Sequence, residues 1–145
     1  DRWLGQVQFL GGTAAQALRF DQRARIGRGR PDFPRRSAVD QHPGCIQFIQ
    51  KISNELAYGI NTVKSDVFTF LERTNKKFDV IFADPPYELP KEKFELLVHR
   101  IFEKELLEAG GMLIIEHAPY TDLSMEPQFI QTKKYGGTCF SFFQS

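Results

Sequence analysis

The chain has 145 residues, 41% hydrophobic and 26% charged, with a net charge of +1. That is enough for one domain with a sizeable core and is ordinary for a globular protein; no run approaches the roughly 18 apolar residues of a membrane span, and no charged start with an apolar centre marks a secretory signal. Cys45 and Cys139 stand far apart without metal-ligand spacing, so neither a disulfide framework nor a metal centre is expected, and cytoplasm is the expected compartment.

The net charge hides an asymmetry. Residues 1–36 hold eight Arg, three Asp, no Lys and no Glu, a net of +5, whereas residues 37–145 hold eleven basic against fifteen acidic residues, a net of −4. The first segment contains one weak apolar piece, VQFL, then a Gly/Ala stretch and an Arg/Gly/Pro-rich run; residues 22–37 read as loop or disorder. The segment is set apart as anomalous, either a wrong-frame or truncated start or an Arg-rich arm suited to nucleic acid. Residues 37–145 are expected to form the domain.

From residue 37 the pattern is regular. SAVD (37–40) is a strand end. In HPGCIQFIQKISNELAYG (42–59), Ile46, Ile49, Ile52 and Leu56 have helical spacing, with Pro43 suited to a first turn and Gly59 to an exit. INTVKSD (60–66) reads as a strand and VFTFLERTN (67–75) as a short helix capped by Asp66. FDVIFAD (78–84) is an apolar run typical of a strand buried on both faces. PKEKFELLVHRIFEKELLEAGG (90–111) reads as an amphipathic helix or helix pair ended by Gly110-Gly111. MLIIEH (112–117) is another buried strand, and residues 129–136 and 137–144 form a last pair of strands around Gly136-Gly137. Alternating strands and helices predict an α/β fold, a mostly parallel sheet covered on both faces, with a C-terminal hairpin able to add an antiparallel edge.

In such a sheet ligands bind beyond the carboxyl ends of the strands. Asp40, Asp66 and Asp84 each close a predicted strand, so three acids are expected on one rim. Asp40 has the spacing of an acid that accepts ribose hydroxyls, and Asp66 suits the polar edge of an adenine. Asp84 opens the turn Asp84-Pro85-Pro86-Tyr87. That turn suits methylation of an exocyclic amine on a base, a poor nucleophile because its lone pair is delocalised into the ring. A carboxylate and a backbone carbonyl can accept its two N–H groups and aim the lone pair at a sulfonium methyl. Pro85 and Pro86 hold the carbonyl in place and offer no competing N–H. Tyr87 offers a face for a flipped base. The bland alternative is a rigid strand stop; the position after FDVIFA and the two upstream acids favour the functional reading. His42 is expected at a helix start, His99 in solvent, and His117 in a loop rather than on the rim. Phe140, Phe142 and Phe143 are expected in sheet packing.

FDVIFADPPY resembles motif IV of amino-methyltransferases that use S-adenosylmethionine. Together with AVDQHPGCIQFIQ, VKSDVFTFL, ELLEAGGMLIIEH and KKYGGTCFSFF, it is similar to the RsmD-type family over residues 37–145. The resemblance implies a Rossmann-like class I methyltransferase, incomplete at its amino end, that methylates the N2 amine of one guanine in 16S ribosomal RNA. It implies that Asp40 binds the cofactor ribose and Gln41 contacts the cofactor beside it, that Asp66 and Val67 contact the adenine, and that Asp84, Pro85, Pro86 and Tyr87 form the catalytic turn, with Asp84 also near the cofactor. Lys133 and Lys134 would meet RNA phosphates, or simply form a solvated strand face. The implied partner is 16S rRNA or the assembling small subunit, with no membrane and a monomer as the expected state. The sequence departs from the family at its start. The family's glycine-rich cofactor loop is not recognisable, FLGGTAAQAL (9–18) is its nearest counterpart, and 27 residues separate Gly12 from Asp40. The alternatives are a DNA N6-adenine methylase on the same fold and a non-catalytic remnant.

Overall fold

The computed structural model describes residues 7–10, 36–56 and 60–145. One sheet is formed by β1 (Val7–Leu10), β2 (Arg36–Asp40), β3 (Ile60–Lys64), β4 (Phe78–Ala83), β5 (Leu107–His117), β6 (Phe129–Tyr135) and β7 (Thr138–Gln144). The order is β3-β2-β1-β4-β5-β7-β6. The first five positions are parallel, and β7 runs antiparallel to both β5 and β6. The α/β expectation therefore holds, and the weak apolar piece VQFL is the middle of the five parallel strands, between β2 and β4. β2 begins at Arg36, so Arg36 and Ser37 are strand rather than loop. The rest of the proposed loop, and the glycine-loop candidate beyond Leu10, lie outside the described residues.

Three helices flank the strands among the described residues. Helix α1 (Pro43–Leu56) starts with proline in its first turn, where the missing N–H costs nothing, and its first bond runs from Ile46 N–H to the His42 carbonyl at 3.2 Å. Helix α2 (Val67–Arg73) is capped by Asp66, whose Oδ2 accepts the Thr69 N–H at 3.0 Å. Helix α3 (Lys91–Glu103) buries Phe94, Leu97, Val98 and Ile101, one stripe at helical spacing.

Helix α3 stops eight residues short of the predicted limit, and Gly110-Gly111 does not end it. The Leu106 N–H reaches the Ile101 carbonyl at 3.0 Å and the Glu105 N–H reaches Phe102 at 3.0 Å. Glu105 takes φ 50°. This is the paired-bond helix exit usually built on glycine, here closed by a glutamate while Leu106 returns to the core. The two glycines lie instead inside β5. Leu107 pairs with Phe78 but Met112 pairs with Val80, so residues 108–111 bulge out of the ladder.

The sheet separates two apolar layers. One contains Val39, Ile81, Ala83, Leu113, Ile115 and Phe143 together with the buried stripe of α3 and Leu71 of α2. The other contains Ala38, Val80, Phe82 and Ile114 with Ile49 of α1, flanked by the half-buried Met112, Phe140 and Phe142. The C-terminal hairpin adds an antiparallel edge, as expected. The last strand, β7, is interior, with alternate residues buried, and β6 is the exposed edge. Tyr135 pairs with Thr138 across Gly136-Gly137, and only Gly136 needs a positive φ, 59°, as in the type II′ turn.

Candidate active site

The site follows from strand register. Val63, Val39, Leu10, Ala83 and Ile115 form one row across β3, β2, β1, β4 and β5. One residue further, at the carboxyl ends, come Lys64 paired with Asp40, then Asp84 and Glu116. Asp66 follows two residues after β3. The three acids do emerge at the same end of parallel strands. Asp84 also borders the point between β1 and β4 where the direction of winding reverses, the usual crevice of such sheets.

Asp84 is 7% exposed. The turn after it is closed by a bond from Leu89 N–H to the Pro86 carbonyl at 3.0 Å. Tyr87, half-buried, returns toward β5 and β7. Its hydroxyl donates to Glu116 Oε1 at 3.2 Å and is in close hydrogen-bonded contact with the Thr138 hydroxyl. Thr138 also donates to the same Glu116 oxygen at 3.2 Å. The exposed Tyr120 donates its hydroxyl to the Tyr87 carbonyl at 3.0 Å. The Thr138 bond pulls the Tyr87 phenol toward ionisation, but burial and the Glu116 and Asp84 carboxylates outweigh it, and its pKa lies above the usual tyrosine value.

The remaining anticipated residues separate. Asp40 is the last residue of β2 and Gln41 follows it, exposed. Val67 opens α2 and packs against the larger apolar layer. Lys133 and Lys134 are neighbours on β6, so strand alternation turns them to opposite faces. Lys133 pairs with Phe140, which pairs with Glu116, so it stands in the row of Asp84; its ammonium lies 5.7 Å from the centre of the Phe142 ring. Lys134 belongs to the row of Cys139 and His117. His117 is neither a loop nor a rim residue. It is 1% exposed at the end of β5, with Nδ1 against the Ala118 carbonyl and Nε2 against the Ser141 hydroxyl. His99 is exposed, as expected, and pairs with Glu126 at 2.9 Å. Sequence reasoning did not single out Glu116 or Thr138. Glu116 carries the signal that marked Asp84, an acid closing an apolar strand; Thr138 has no local signal at all.

Among the described residues no helix is long and apolar enough to cross a membrane. Nor does any group of three or more His, Cys, Asp and Glu there have the arrangement of a metal site.

This strand order, with an antiparallel β7 inserted before the edge, is that of the class I methyltransferases. The chain belongs to the family described as conserved hypothetical protein 95, the RsmD family, whose model matches residues 32–144. No curated protein matches it by sequence. Among solved structures it is similar to a conserved hypothetical protein of Streptococcus pyogenes, at 18% identity and a TM-score of 0.80, covering 97% of this chain and 86% of that one. It is also similar to YhhF of Escherichia coli, a proposed methyltransferase, at 17% identity and 0.75, covering 97% and 75%. A third is the 16S rRNA N2 methyltransferase RsmC of Thermus thermophilus, solved with AdoMet and guanosine, at 20% and 0.72, covering 97% and 37%.

Proposed function

We propose that the chain transfers a methyl group from S-adenosylmethionine to the exocyclic N2 amine of a guanine in 16S ribosomal RNA, acting on the free RNA or the assembling small subunit. The observation that carries the reading is the buried Asp84 at the sheet's switch point, followed by two prolines and a ring tethered by its hydroxyl. The RsmC neighbour, solved with AdoMet and guanosine, supports the choice of cofactor and base.

The donor set suits this cofactor. Asp40 closes β2 and Gln41 follows it, where ribose hydroxyls need acceptors, and Asp66 and Val67 stand at the start of α2 after the neighbouring β3. S-adenosylmethionine supplies the electrophilic methyl. The Asp84 carboxylate accepts one N–H of the target amine. The Pro86 carbonyl already takes the Leu89 N–H, so the second amine N–H is assigned to the Pro85 carbonyl. Holding both N–H groups would aim the lone pair out of conjugation and offset the positive charge that develops on nitrogen, bound S-adenosylmethionine would supply the methyl, and the surplus amine proton would pass by way of the Asp84 carboxylate to water. The Tyr87 ring stacks on the extruded base. Lys133, in the row of Asp84 and three strand spacings away, roughly 14 Å, meets a flanking phosphate, and Lys134 serves the backbone from the other face.

The test is methylation of unmodified 16S rRNA with labelled cofactor, with nucleoside mass spectrometry of the product and calorimetric binding of S-adenosylhomocysteine. N2-methylguanosine is expected, lowered by about 100-fold or more in Asp84→Ala. N6-methyladenosine in DNA would replace this reading with the adenine methylase. A folded chain that neither binds the cofactor product nor methylates any nucleic acid would replace it with a non-catalytic remnant.

A further inference from the structure

We propose that Glu116 and Thr138 are positioning residues that clamp the Tyr87 hydroxyl between β5 and β7 and thereby set the direction of the ring that receives the target base; this rests on the methyl-transfer reading above.

Three observations carry the inference. First, the contacts close a triangle. Tyr87 and Thr138 both reach the same oxygen, Glu116 Oε1, at 3.2 Å, and also touch each other. Two hydroxyl protons serve three contacts. Both hydroxyls are placed to donate to this one oxygen, so Glu116 is the acceptor on which they converge. Second, the components are remote in sequence. Tyr87 is 29 residues from Glu116 and 51 from Thr138. Local turn chemistry therefore does not produce the clamp, whereas the β5–β7 pairing, with His117 opposite Cys139 and Glu116 opposite Phe140, brings its two halves together. Third, Tyr87 is held at its other end too, where Tyr120 donates to its carbonyl. A tyrosine fixed at backbone and hydroxyl keeps its ring axis in one direction. A flat base that must present its amine to Asp84 needs a stacking surface already in place.

The hydroxyl lies on the ring axis, so the clamp fixes where the ring points. Its loss should therefore be felt in orientation of the base more than in cofactor binding. Thr138→Val removes one hydroxyl at nearly constant volume; Tyr87→Phe keeps the ring and removes the other; Thr138→Ser restores the bonding group.

The experiment is a double-mutant cycle on Tyr87→Phe and Thr138→Val, read twice. In urea unfolding, Thr138→Val should lower the midpoint clearly less in the Tyr87→Phe background than in the parent chain, because the Tyr87 partner is gone and only the bond to Glu116 remains to be lost. In methyl transfer to 16S rRNA, each single variant should lower kcat about 10-fold, the double variant no further, and Thr138→Ser should return to within about two-fold of the parent. The affinity for S-adenosylhomocysteine should stay constant throughout. Additive effects in unfolding would show that no clamp exists. Coupling in unfolding with unchanged kcat would show a clamp that positions nothing, and would also overturn the proposal. If the parent chain methylates no RNA, the methyl-transfer reading fails on its own, and the unfolding cycle still decides whether the clamp is there.

Discussion

Replacing Lys104 with Met removes an ammonium from the end of α2 while keeping most of the side chain's stem. Helix α2 has seven residues, too few to be stable alone, and its last carbonyls lack partners within the helix. The Phe70 carbonyl takes the Thr74 N–H at 2.9 Å. Lys104 Nζ supplies the next two, donating to the carbonyls of Leu71 at 2.6 Å and Glu72 at 2.5 Å, and it also reaches Thr74 at 3.2 Å. Each such bond stabilises by about 1 kcal/mol net, and a cation at a helix C-terminus adds about 0.3–1 kcal/mol. The Glu72 bond lies on the exposed side, where water can replace it, and the Arg100–Glu72 pair at 3.2 Å still ties α2 to α3. The expected loss is therefore about 1–2 kcal/mol. At about 2.1 cal/mol/K per residue of unfolding entropy, this is a fall of roughly 3–7 °C in Tm for a chain of this length. Urea unfolding followed by circular dichroism gives the difference directly, provided the slope is unchanged. Lys134→Met, at an exposed position on the edge strand β6, is the control and should stay within about 0.5 kcal/mol. A Lys104→Met variant indistinguishable from that control would refute the account of how α2 ends.

Gly111 and Gly137 should differ sharply in their tolerance of alanine. A Cβ at Gly111 would lie 2.8 Å from the Glu108 carbonyl oxygen and 3.1 Å from that of Asp79, both backbone atoms with little room to yield, whereas at Gly137 nothing lies within 4 Å. Gly111→Ala should cost about 1–3 kcal/mol and Gly137→Ala much less; equal unfolding midpoints would contradict the bulge at 108–111. The raised Tyr87 pKa makes a pH prediction. The folded state holds the phenol proton more tightly than the unfolded chain, so this contribution is complete below the ordinary tyrosine value of 10.0 and is lost as pH rises past it toward the higher folded value. Between pH 8 and 11 the parent chain should lose stability more steeply than Tyr87→Phe, and parallel profiles would show that Tyr87 is not in the environment described.

The helices and the parallel core strands were legible because their signals are local. Ile46 and Ile49 fall on one helical face, Asp66 stands where a cap must stand, and FDVIFA is apolar on both faces because both faces are covered. The three rim acids could be named for the same reason: each closes a predicted strand. The end of α3 was not legible, because the left-handed residue that ends it is Glu105 and the glycines that looked like an exit serve a bulge instead. VQFL could not be placed at all from its four residues; only pairing with β2 on one side and β4 on the other makes it the middle parallel strand. The Tyr87–Glu116–Thr138 triangle is of that second kind. Periodicity and capping chemistry act within a few residues and can be read from them, whereas a hydroxyl, a carboxylate and a second hydroxyl drawn from three separate segments meet only when the order and register of the strands are set by the burial of the whole sheet.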